Sequence, residues 1–396
     1  MGHAVTDINA GALPIMLAYL QPAFLLTQFQ VGLAVMAFNV TSSVIQPAFG
    51  VFSDRYRLAW LMPAGCLLAG LGMALTGLSH SYYVLLPVIF LSGLGVAAFH
   101  PEGSKFARFS SGPKKVSGMA VFSVGGNVGV ALGPVLATLF YSLAQLKGTV
   151  GFLVINTLMA LVLYLSLPSL GGGREMTGGQ GPQAGGSPEK GGFISDARAF
   201  LAGRAAVPLI LIILIVTFRS WVQSGILTFV PQYYIHQLNQ SELYVTMINF
   251  LFLAAGAVGT LVGGPAADRW GMKAVIIASM ALQVPLLYMF LHLSGIWAIV
   301  GITLAGLALV SSFAVTLVYG QELLPGRVGL ASGLIIGFGV GMGGVGTPLI
   351  GYVADRWGLI TALNSLLFLP LICLILAAFL PKERSAVPGA VAGQMH

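Results

Sequence analysis

Charged side chains are scarce in this sequence. They make up 7% of the 396 residues, whereas hydrophobic residues make up 57% and the mean hydropathy is +0.92. Because a soluble domain carries about 25% charged residues, this chain has too little polar side chain to cover a water-exposed surface. The composition therefore predicts a protein that is solvated by a lipid bilayer.

Cysteine is also rare, and Cys66 and Cys373 lie far apart in apolar segments. This argues against a disulfide, and no group of histidines and cysteines has the spacing of a zinc site. No glycine-rich loop ends in the Lys-Ser or Lys-Thr of a phosphate-binding loop. We therefore expect no cofactor and no metal, and the dispersed histidines argue against a membrane-embedded enzyme.

A cleavable signal peptide is not expected, because the first residues carry His3 and Asp7 in place of a basic leader. The net charge of +7 is compatible with nucleic-acid binding, but the basic residues are scattered over loops on one side of the expected membrane. We therefore expect no nucleic-acid partner.

Long apolar segments dominate the chain. A membrane-spanning helix needs about 20 mostly apolar residues, and helices are favoured over strands because a helix satisfies its own backbone in lipid. Twelve segments fit, at roughly 3–23, 29–51, 59–79, 83–104, 116–140, 149–169, 206–232, 243–266, 274–293, 296–320, 328–352 and 359–380.

The basic residues indicate how these helices are oriented, because cytoplasmic loops carry an excess of Lys and Arg. With a cytoplasmic N-terminus, Lys147 and Arg356 fall in outward loops and Arg219 lies within a helix, while the rest of the 18 basic residues are in inward loops or the tail. We therefore expect both termini to be cytoplasmic.

A short acidic and basic pattern occurs twice, about half the chain length apart. The first copy reads Gly50-Val-Phe-Ser-Asp54-Arg55-Tyr-Arg57, and the second reads Gly264-Pro-Ala-Ala-Asp268-Arg269-Trp-Gly271-Met-Lys273. Each copy lies between two apolar segments, which is typical of a tight loop at a membrane face. A repeat at this distance predicts a transporter built from two similar halves.

The domain organisation follows from this repeat and from one long polar stretch whose composition is typical of a linker. We expect an N-terminal six-helix half at 1–170, a Gly-rich cytoplasmic linker at 171–205, a C-terminal six-helix half at 206–380 and a cytoplasmic tail at 381–396.

The paired loops, the two six-helix halves and the glycine-rich linker resemble the major facilitator superfamily. Gly129-x3-Gly133-Pro134 in helix five resembles the core of that superfamily's antiporter motif. Within the superfamily the chain is similar to the fosmidomycin-resistance family over nearly its whole length. The residues that carry this likeness are His3-x3-Asp7, Phe99-His100-Pro101-Glu102, Ser123-Val-Gly125-Gly126-Asn127, Tyr319-Gly320-Gln321-Glu322-Leu-Leu-Pro325-Gly326-Arg327 and Gly341-Met-Gly343-Gly344.

This resemblance implies an all-α membrane protein, with twelve transmembrane helices in two pseudo-symmetric six-helix bundles. It also implies a monomer in the bacterial inner membrane that exports small anionic or amphipathic drugs in exchange for protons, by alternating access.

Acidic residues inside the apolar segments are candidates for proton coupling. Asp7 lies within helix one, where an ionised carboxylate is costly, so we expect it to face the bundle interior and to be protonated or paired. His3 is one turn away on the same face and is suited to relay a proton. The alternative is that Asp7 only joins a structural hydrogen-bond network.

Further candidates for proton coupling lie near the cytoplasmic ends of two helices. His100 and Glu102 are near the end of helix four, and Glu322 is at the matching end of helix ten. The alternative is that these groups form gate salt bridges with Arg108 or Arg327.

Arg219 is the basic residue placed mid-membrane. Arginine keeps its charge, so it is a poor proton carrier but a good ligand for phosphonate or carboxylate. We therefore expect it to contact an anionic substrate, and the alternative is a fixed ion pair with Asp7. Asn127, Trp221 and Gln223 are further candidates for substrate contact, because they lie on helices five and seven.

The two repeated clusters are candidates for gates. A carboxylate at a helix end pairs with a neighbouring Arg and with the positive N-terminus of a facing helix, and such pairs lock one conformation. The alternative is that these charges only set the topology. The gating candidates are Asp54, Arg55, Arg57, Asp268, Arg269, Lys273, Arg108 and Arg327.

Proton-coupled drug export is thus the function that the sequence favours. An uptake symporter or exchanger for a small organic anion or sugar phosphate fits the fold and Arg219 equally well. A channel is disfavoured by the two-half repeat and the gate loops.

Overall fold

The computed structural model describes residues 1–46, 48–50, 52, 58–110, 115–168, 206–324, 334–335 and 341–381, with side chains at all of these except 108, 109 and 115–120. Several predictions made from the sequence therefore lie outside the described residues. They concern Asp54, Arg55, Arg57, the side chain of Arg108, Arg327, the linker and the tail.

The described residues form helices and connecting turns, without strands. Eight of their helical stretches are long and apolar enough to cross a membrane, with Val121–Ser166 counted as one, and Leu61–Thr76 is a shorter apolar helix. The helices are α1 (Gly2–Phe24), α2 (Gln28–Asn39, continued by a π-helical turn Val40–Val44), α3 (Leu61–Thr76), α4 (Tyr82–Ser110), α5 (Lys115–Ala144), α6 (Val150–Ser166), α7 (Ala206–His236), α8 (Glu242–Trp270), α9 (Met272–His292), α10 (Ile296–Leu323), α11 (Gly343–Trp357) and α12 (Leu359–Ala378, with a break near Leu366).

In the N-terminal half, α1 and α5 touch backbone to backbone because glycines line their interface. A Cβ added to Gly129 would lie 2.1 Å from the carbonyl oxygen of Ala4, and one added to Gly133 would lie 2.5 Å from the amide nitrogen of Ala12. Small residues permit this close approach of helices in lipid. The glycines of the antiporter-like motif therefore hold α1 against α5.

The C-terminal half repeats this arrangement with α7 and α11. A Cβ added to Gly343 would lie 2.7 Å from Cβ of Ser220, and one added to Gly346 would lie 2.4 Å from the indole ring of Trp221. The glycine-rich helices five and eleven thus pack in the same way against helices one and seven.

Buried polar side chains tie the helices of each half together. Asn9 on α1 donates a hydrogen bond to Asn156 on α6 over 3.1 Å, and the thiol of Cys66 on α3 lies 3.6 Å from the same amide oxygen. In the other half, Ser279 on α9 donates to the carbonyl of Ala308 on α10 over 2.6 Å. These bonds fix helices in place where the surrounding lipid offers no polar partner.

The two ends of the bundle are distinct faces. We call the N-terminal face the end where α1 begins at Gly2 and α8 ends at Trp270. The opposite face is the end where α2 begins at Gln28 and α8 begins at Glu242. One apolar core runs between the halves and includes buried Leu17 of α1 and Phe229 of α7.

The halves also meet through polar contacts toward the opposite face. The ring Nε2 of His236 on α7 donates to the carbonyl of Ala18 on α1 over 2.9 Å. The hydroxyls of Thr138 on α5 and Thr246 on α8 are hydrogen-bonded to each other. Since these partners belong to different halves, the opposite face is closed in this conformation.

Two turns of the C-terminal half have nearly the same conformation. Gly271 has φ 88° and ψ 148°, and Gly358 has φ 87° and ψ 156°, a region that side chains rarely adopt. Both end the same sequence pattern, Gly-x3-Asp-Arg-Trp-Gly, at 264–271 and at 351–358. The chain therefore carries a third copy of the Gly-x3-Asp-Arg pattern, on the opposite face.

Candidate functional site

Asp7 is the centre of a cluster of three ionisable side chains from two helices. Its Oδ2 lies 3.0 Å from Nε2 of His3, one turn earlier on α1, and its Oδ1 lies 2.8 Å from Nε2 of His100 on α4. The three side chains are 11–23% exposed. A carboxylate in an apolar bundle is thus paired on both oxygens, and the cluster stays partly exposed.

The backbone of α5 fixes the tautomer of His3. Its Nδ1 lies 2.6 Å from the carbonyl oxygen of Phe122. Because a carbonyl only accepts hydrogen bonds, this nitrogen carries a proton. The other nitrogen, Nε2, then either donates to an ionised Asp7 or accepts from a protonated one. His3 and Asp7 therefore share one proton. This proton can transfer between Nε2 of His3 and the Asp7 carboxylate without movement of the non-hydrogen atoms.

Packing holds the His3 ring in this position. The ring stacks on that of Phe122, with centroids 3.9 Å apart and planes inclined by 19°. Gly126 of the same helix also lies next to the ring, because an added Cβ there would be 2.5 Å from Cε1 of His3 and 2.9 Å from Oδ2 of Asp7. Gly126 is thus required for the cluster to fit against α5.

The same three side chains offer a set of metal ligands. One donor atom each from His3, Asp7 and His100 lie within 4.8 Å of one another, and two imidazoles with a carboxylate suit a divalent transition metal. The hydrogen bonds of 2.8 and 3.0 Å already use these lone pairs, so we interpret the cluster as a proton site and treat a metal ion as a competitor.

The other two proton-coupling candidates lie apart from this cluster. Glu102 is buried at 3% exposure and pairs with Lys105 on its own helix over 3.1 Å. Glu322 is exposed near the end of α10. Both residues lie toward the N-terminal face, where Glu102 is buried and Glu322 is exposed, and their role in proton coupling stays a prediction. Their predicted gate partners, Arg108 and Arg327, lie outside the described side chains.

Arg219 is 3% exposed on α7 and does not pair with Asp7 in this structure. Its guanidinium instead lies 5.0 Å from the ring centroid of Phe313 on α10. Its Nη1 is buried and has no hydrogen-bond partner among the described residues. A buried arginine nitrogen without a partner is costly, which makes it a natural contact for an anion.

The remaining substrate candidates have differing surroundings. The indole of Trp221 donates to the carbonyl of Met342 over 2.8 Å and packs on Gly346, so it joins α7 to α11. Asn127 and Gln223 are half-buried. Their contact with substrate stays a prediction.

Three predicted gating residues are described, and all lie at the N-terminal face. Asp268 and Arg269 are exposed, and the guanidinium of Arg269 lies 5.8 Å from the ring of Trp270. Lys273 donates to the carbonyls of Ala378 and Leu380 at the end of α12. Lys273 therefore caps a helix C-terminus in this conformation, and the gating role of all three residues stays a prediction.

Asp355 is a charged residue whose importance the sequence reasoning missed. Its carboxylate accepts hydrogen bonds from the amides of Gln28, over 2.7 Å, and Phe29, over 2.9 Å, at the start of α2. The signal that could have identified it is the third copy of the Gly-x3-Asp-Arg pattern, because the predicted gates were based on the first two copies alone.

The fold and the site together define a two-half membrane transporter. Its helices pair in the same way in both halves, a polar cluster lies inside one half, and the halves contact each other at one face. Comparison with known proteins agrees, because residues 1–339 match the Major Facilitator Superfamily. The chain belongs to this superfamily. It is therefore a multi-pass membrane transporter for small molecules and not an enzyme, and its fold is the expected twelve-helix fold in two bundles.

Individual relatives cover nearly the whole chain. The chain is 30% identical to the fosmidomycin resistance protein of Escherichia coli K12, over 97% of this chain and 92% of that protein. It is 33% identical to YfnC, an MFS-type transporter of Bacillus subtilis 168, over 96% and 91%. A bacterial homologue of the human lysosomal transporter Spinster, solved inward-facing and unoccupied, superposes with a TM-score of 0.75 at 17% identity, covering 96% of this chain and 94% of that one.

Proposed function

We propose that this protein is a proton-coupled exporter of small drugs, of the fosmidomycin-like phosphonate or another amphipathic class, that works by alternating access. The observation that carries the proposal is the cluster of Asp7, His3 and His100. It holds a transferable proton in a partly exposed site inside the N-terminal half. The similarity to the fosmidomycin resistance protein over 97% of the chain supports the drug class.

Proton exchange at this cluster needs no large rearrangement. His3 keeps its Nδ1 proton on the Phe122 carbonyl, and the second proton lies between Nε2 and the Asp7 carboxylate. When that proton leaves to water, the charge of the cluster falls by one. A change of charge in an apolar half alters the free energy of each conformation, which is how proton release becomes linked to substrate movement.

Arg219 is the proposed contact for an anionic substrate. Its charge is permanent, its Nη1 is buried without a described partner, and a phosphonate or carboxylate supplies the missing acceptor. Asp7 is paired with His3 and His100 here and not with Arg219. The anion and the proton occupy separate sites in different halves.

We further propose that the protein is a monomer in the bacterial inner membrane, with both termini cytoplasmic. The bias of basic residues toward loops at the N-terminal face supports this orientation. The proposed halves are 1–170 and 206–380, joined by a cytoplasmic linker at 171–205 and followed by a tail at 381–396.

The test uses proteoliposomes with a pH-sensitive dye inside and no imposed gradient. Addition of fosmidomycin, and then of unrelated amphiphilic drugs, is expected to move protons in the direction opposite to the drug. The assay is repeated with a metal chelator and with added Zn²⁺. Inhibition by Zn²⁺ alone agrees with a proton site that a metal blocks, whereas a requirement for Zn²⁺ contradicts the proton interpretation.

The alternative function is an uptake symporter or exchanger for a small organic anion or a sugar phosphate. Arg219 favours it as much as it favours export of an anionic drug. The same vesicles distinguish the two. Protons that move with the substrate identify a symporter, and exchange of labelled anions without any pH change identifies an exchanger.

A further inference from the structure

Asp355 and Gly351, one turn apart on α11, both contact the first turn of α2. The carboxylate of Asp355 accepts from the amides of Gln28 and Phe29, at 2.7 and 2.9 Å, one on each oxygen. The partners lie 327 and 326 residues away, in the other half. One residue of the C-terminal half therefore binds two backbone donors of the N-terminal half.

These bonds complete the start of α2. The first amides of a helix have no partner within it. Here Thr27 accepts from the amide of Gln30, within a capping box, and Asp355 accepts from the two amides before it. A negative charge at this position also interacts favourably with the positive helix end. The C-terminal half thus supplies part of the N-cap of α2.

Glycine makes this contact possible. A Cβ on Gly351 would lie 2.3 Å from the carbonyl oxygen of Gln28, and one on Gly32 would lie 2.5 Å from that of Thr347. The hydroxyl of Thr347 also donates to the Gly32 carbonyl over 2.8 Å. These atoms are backbone and cannot move aside, so a larger residue at Gly351 prevents α2 and α11 from closing at this end.

The matching residue of the second copy behaves differently. Gly264 occupies the same place in the pattern, but none of the described residues lies within 4 Å of a Cβ added there. Gly271 and Gly358 give both copies the same turn. The same sequence pattern therefore makes a contact between the halves at the opposite face, whereas at the N-terminal face its glycine contacts none of the described residues.

We propose that Gly351 and Asp355, with Gln28 and Phe29, form a lock that holds the opposite face closed and must open in every transport cycle. Asp355 is a positioning residue, since it acts on the conformation and not on the substrate. Its bonds are exposed, so water replaces them when the halves separate, and the lock is reversible. This inference rests on the alternating-access part of the proposed function.

The experiment measures the separation of the halves by pulsed electron paramagnetic resonance. Spin labels are attached at His80→Cys and Ser294→Cys, exposed turn positions in different halves at the opposite face, while native Cys66 and Cys373 are fully buried. Asp355→Asn and Gly351→Ala are expected to raise the long-distance population about fivefold relative to the short one, which is the effect of losing one capping interaction.

Two controls match these changes. Gly264→Ala makes the same substitution in the second copy, and Arg356→Gln removes one charge from the neighbouring residue, whose guanidinium stacks on Tyr352 of its own helix. Both are expected to leave the distances unchanged. If Asp355→Asn gives the same distance distribution as these controls, the proposed lock is wrong. Because Asp355 is exposed, Asp355→Asn tests the proposal even if Gly351→Ala lowers expression of the protein.

The lock and the proton proposal fail separately. The distance measurement uses neither substrate nor a proton gradient, so a loss of proton coupling does not alter its outcome. Conversely, if the distances do not change, the result of the pH-dye assay in vesicles is unaffected, and the proton proposal still stands or fails by that assay alone.

Discussion

His100 and Asp7 are 93 residues apart in the chain, yet Nε2 of His100 lies 2.8 Å from Oδ1 of Asp7. The other oxygen of the same carboxylate faces His3. The two histidines have different surroundings, because only His3 is held by a backbone carbonyl of α5. We infer that His3 shares the mobile proton and that His100 orients the carboxylate.

The first prediction separates these roles by replacing each histidine with glutamine. A glutamine amide still donates a hydrogen bond but does not take up a proton. His100→Gln is therefore expected to keep proton-coupled transport with a rate lower by about tenfold. His3→Gln is expected to abolish coupling. Initial rates of substrate-driven pH change in proteoliposomes provide the measurement, and equal effects of the two variants contradict the assignment.

The second prediction concerns the glycine under the cluster. Gly126→Ala places a Cβ within 2.5 Å of the His3 ring, so the ring is displaced and coupling falls sharply. Overpacking of this kind also costs about 1–3 kcal/mol of stability. Gly125→Ala is the matched control, because its Cβ would lie 4.0 Å from the nearest atom, Cβ of His3. Transport and melting temperature are compared for the pair, and equal behaviour refutes the packing argument.

The third prediction tests Arg219 as the anion contact. Arg219→Met removes a buried charge whose Nη1 has no described partner, so the melting temperature is expected to rise. Affinity for fosmidomycin is expected to fall at least about tenfold, because a charge-assisted hydrogen bond is lost. Arg356→Met, at an exposed position, is the control. If Arg219→Met binds fosmidomycin with unchanged affinity, Arg219 does not contact this substrate, whatever its melting temperature.

The fourth prediction concerns the polar tie between α1, α3 and α6. Asn156→Ala removes the acceptor for Asn9 and for the thiol of Cys66. Stability is expected to fall by about 1 kcal/mol, because the hydrogen bond between α1 and α6 is lost while Asn9 keeps the Thr6 carbonyl and Cys66 keeps the backbone carbonyl of residue 156 as acceptors. Substrate preference is expected to be unchanged. Asn364→Ala is the control, since its bond to His292 is solvent-exposed. Thermal unfolding in detergent is the measurement. Equal melting temperatures of Asn156→Ala and Asn364→Ala would contradict a stabilising role of Asn156.

Much of the fold was predictable from the sequence, because lipid imposes strong rules on length and composition. Helix seven was expected at 206–232 and is found at Ala206–His236, and helix five was expected at 116–140 and is found at Lys115–Ala144. The long apolar segments carry this information directly. The assignment to the superfamily was confirmed by the match over residues 1–339.

The site was predictable only where its residues are local. Asp7 and His3 are one helical turn apart, so their contact followed from spacing. The contact of Asp7 with His100 depends on how α1 and α4 pack, which hydropathy does not encode. The fixed pair of Arg219 with Asp7 was the wrong alternative for this conformation, because Arg219 lies against Phe313 inside the other half.

The lock was missed for a different reason. The patterns at 351–358 and 264–271 share Gly-x3-Asp-Arg-Trp-Gly, but a two-half repeat predicts copies that are half a chain apart, and these two lie in the same half. The copy at 351–358 lies on the opposite face, whereas that at 264–271 lies at the N-terminal face. A pattern interpreted as a cytoplasmic gate was therefore not sought where it makes its contact with α2.

The most direct test of the central claim measures net proton-coupled transport and substrate exchange in the same vesicles, for the native protein and for Asp7→Asn. The asparagine retains a hydrogen-bond acceptor but does not ionise. Asp7→Asn is expected to lose all substrate-driven proton movement while it still exchanges labelled substrate across the membrane. Proton movement in Asp7→Asn at the native rate would contradict it.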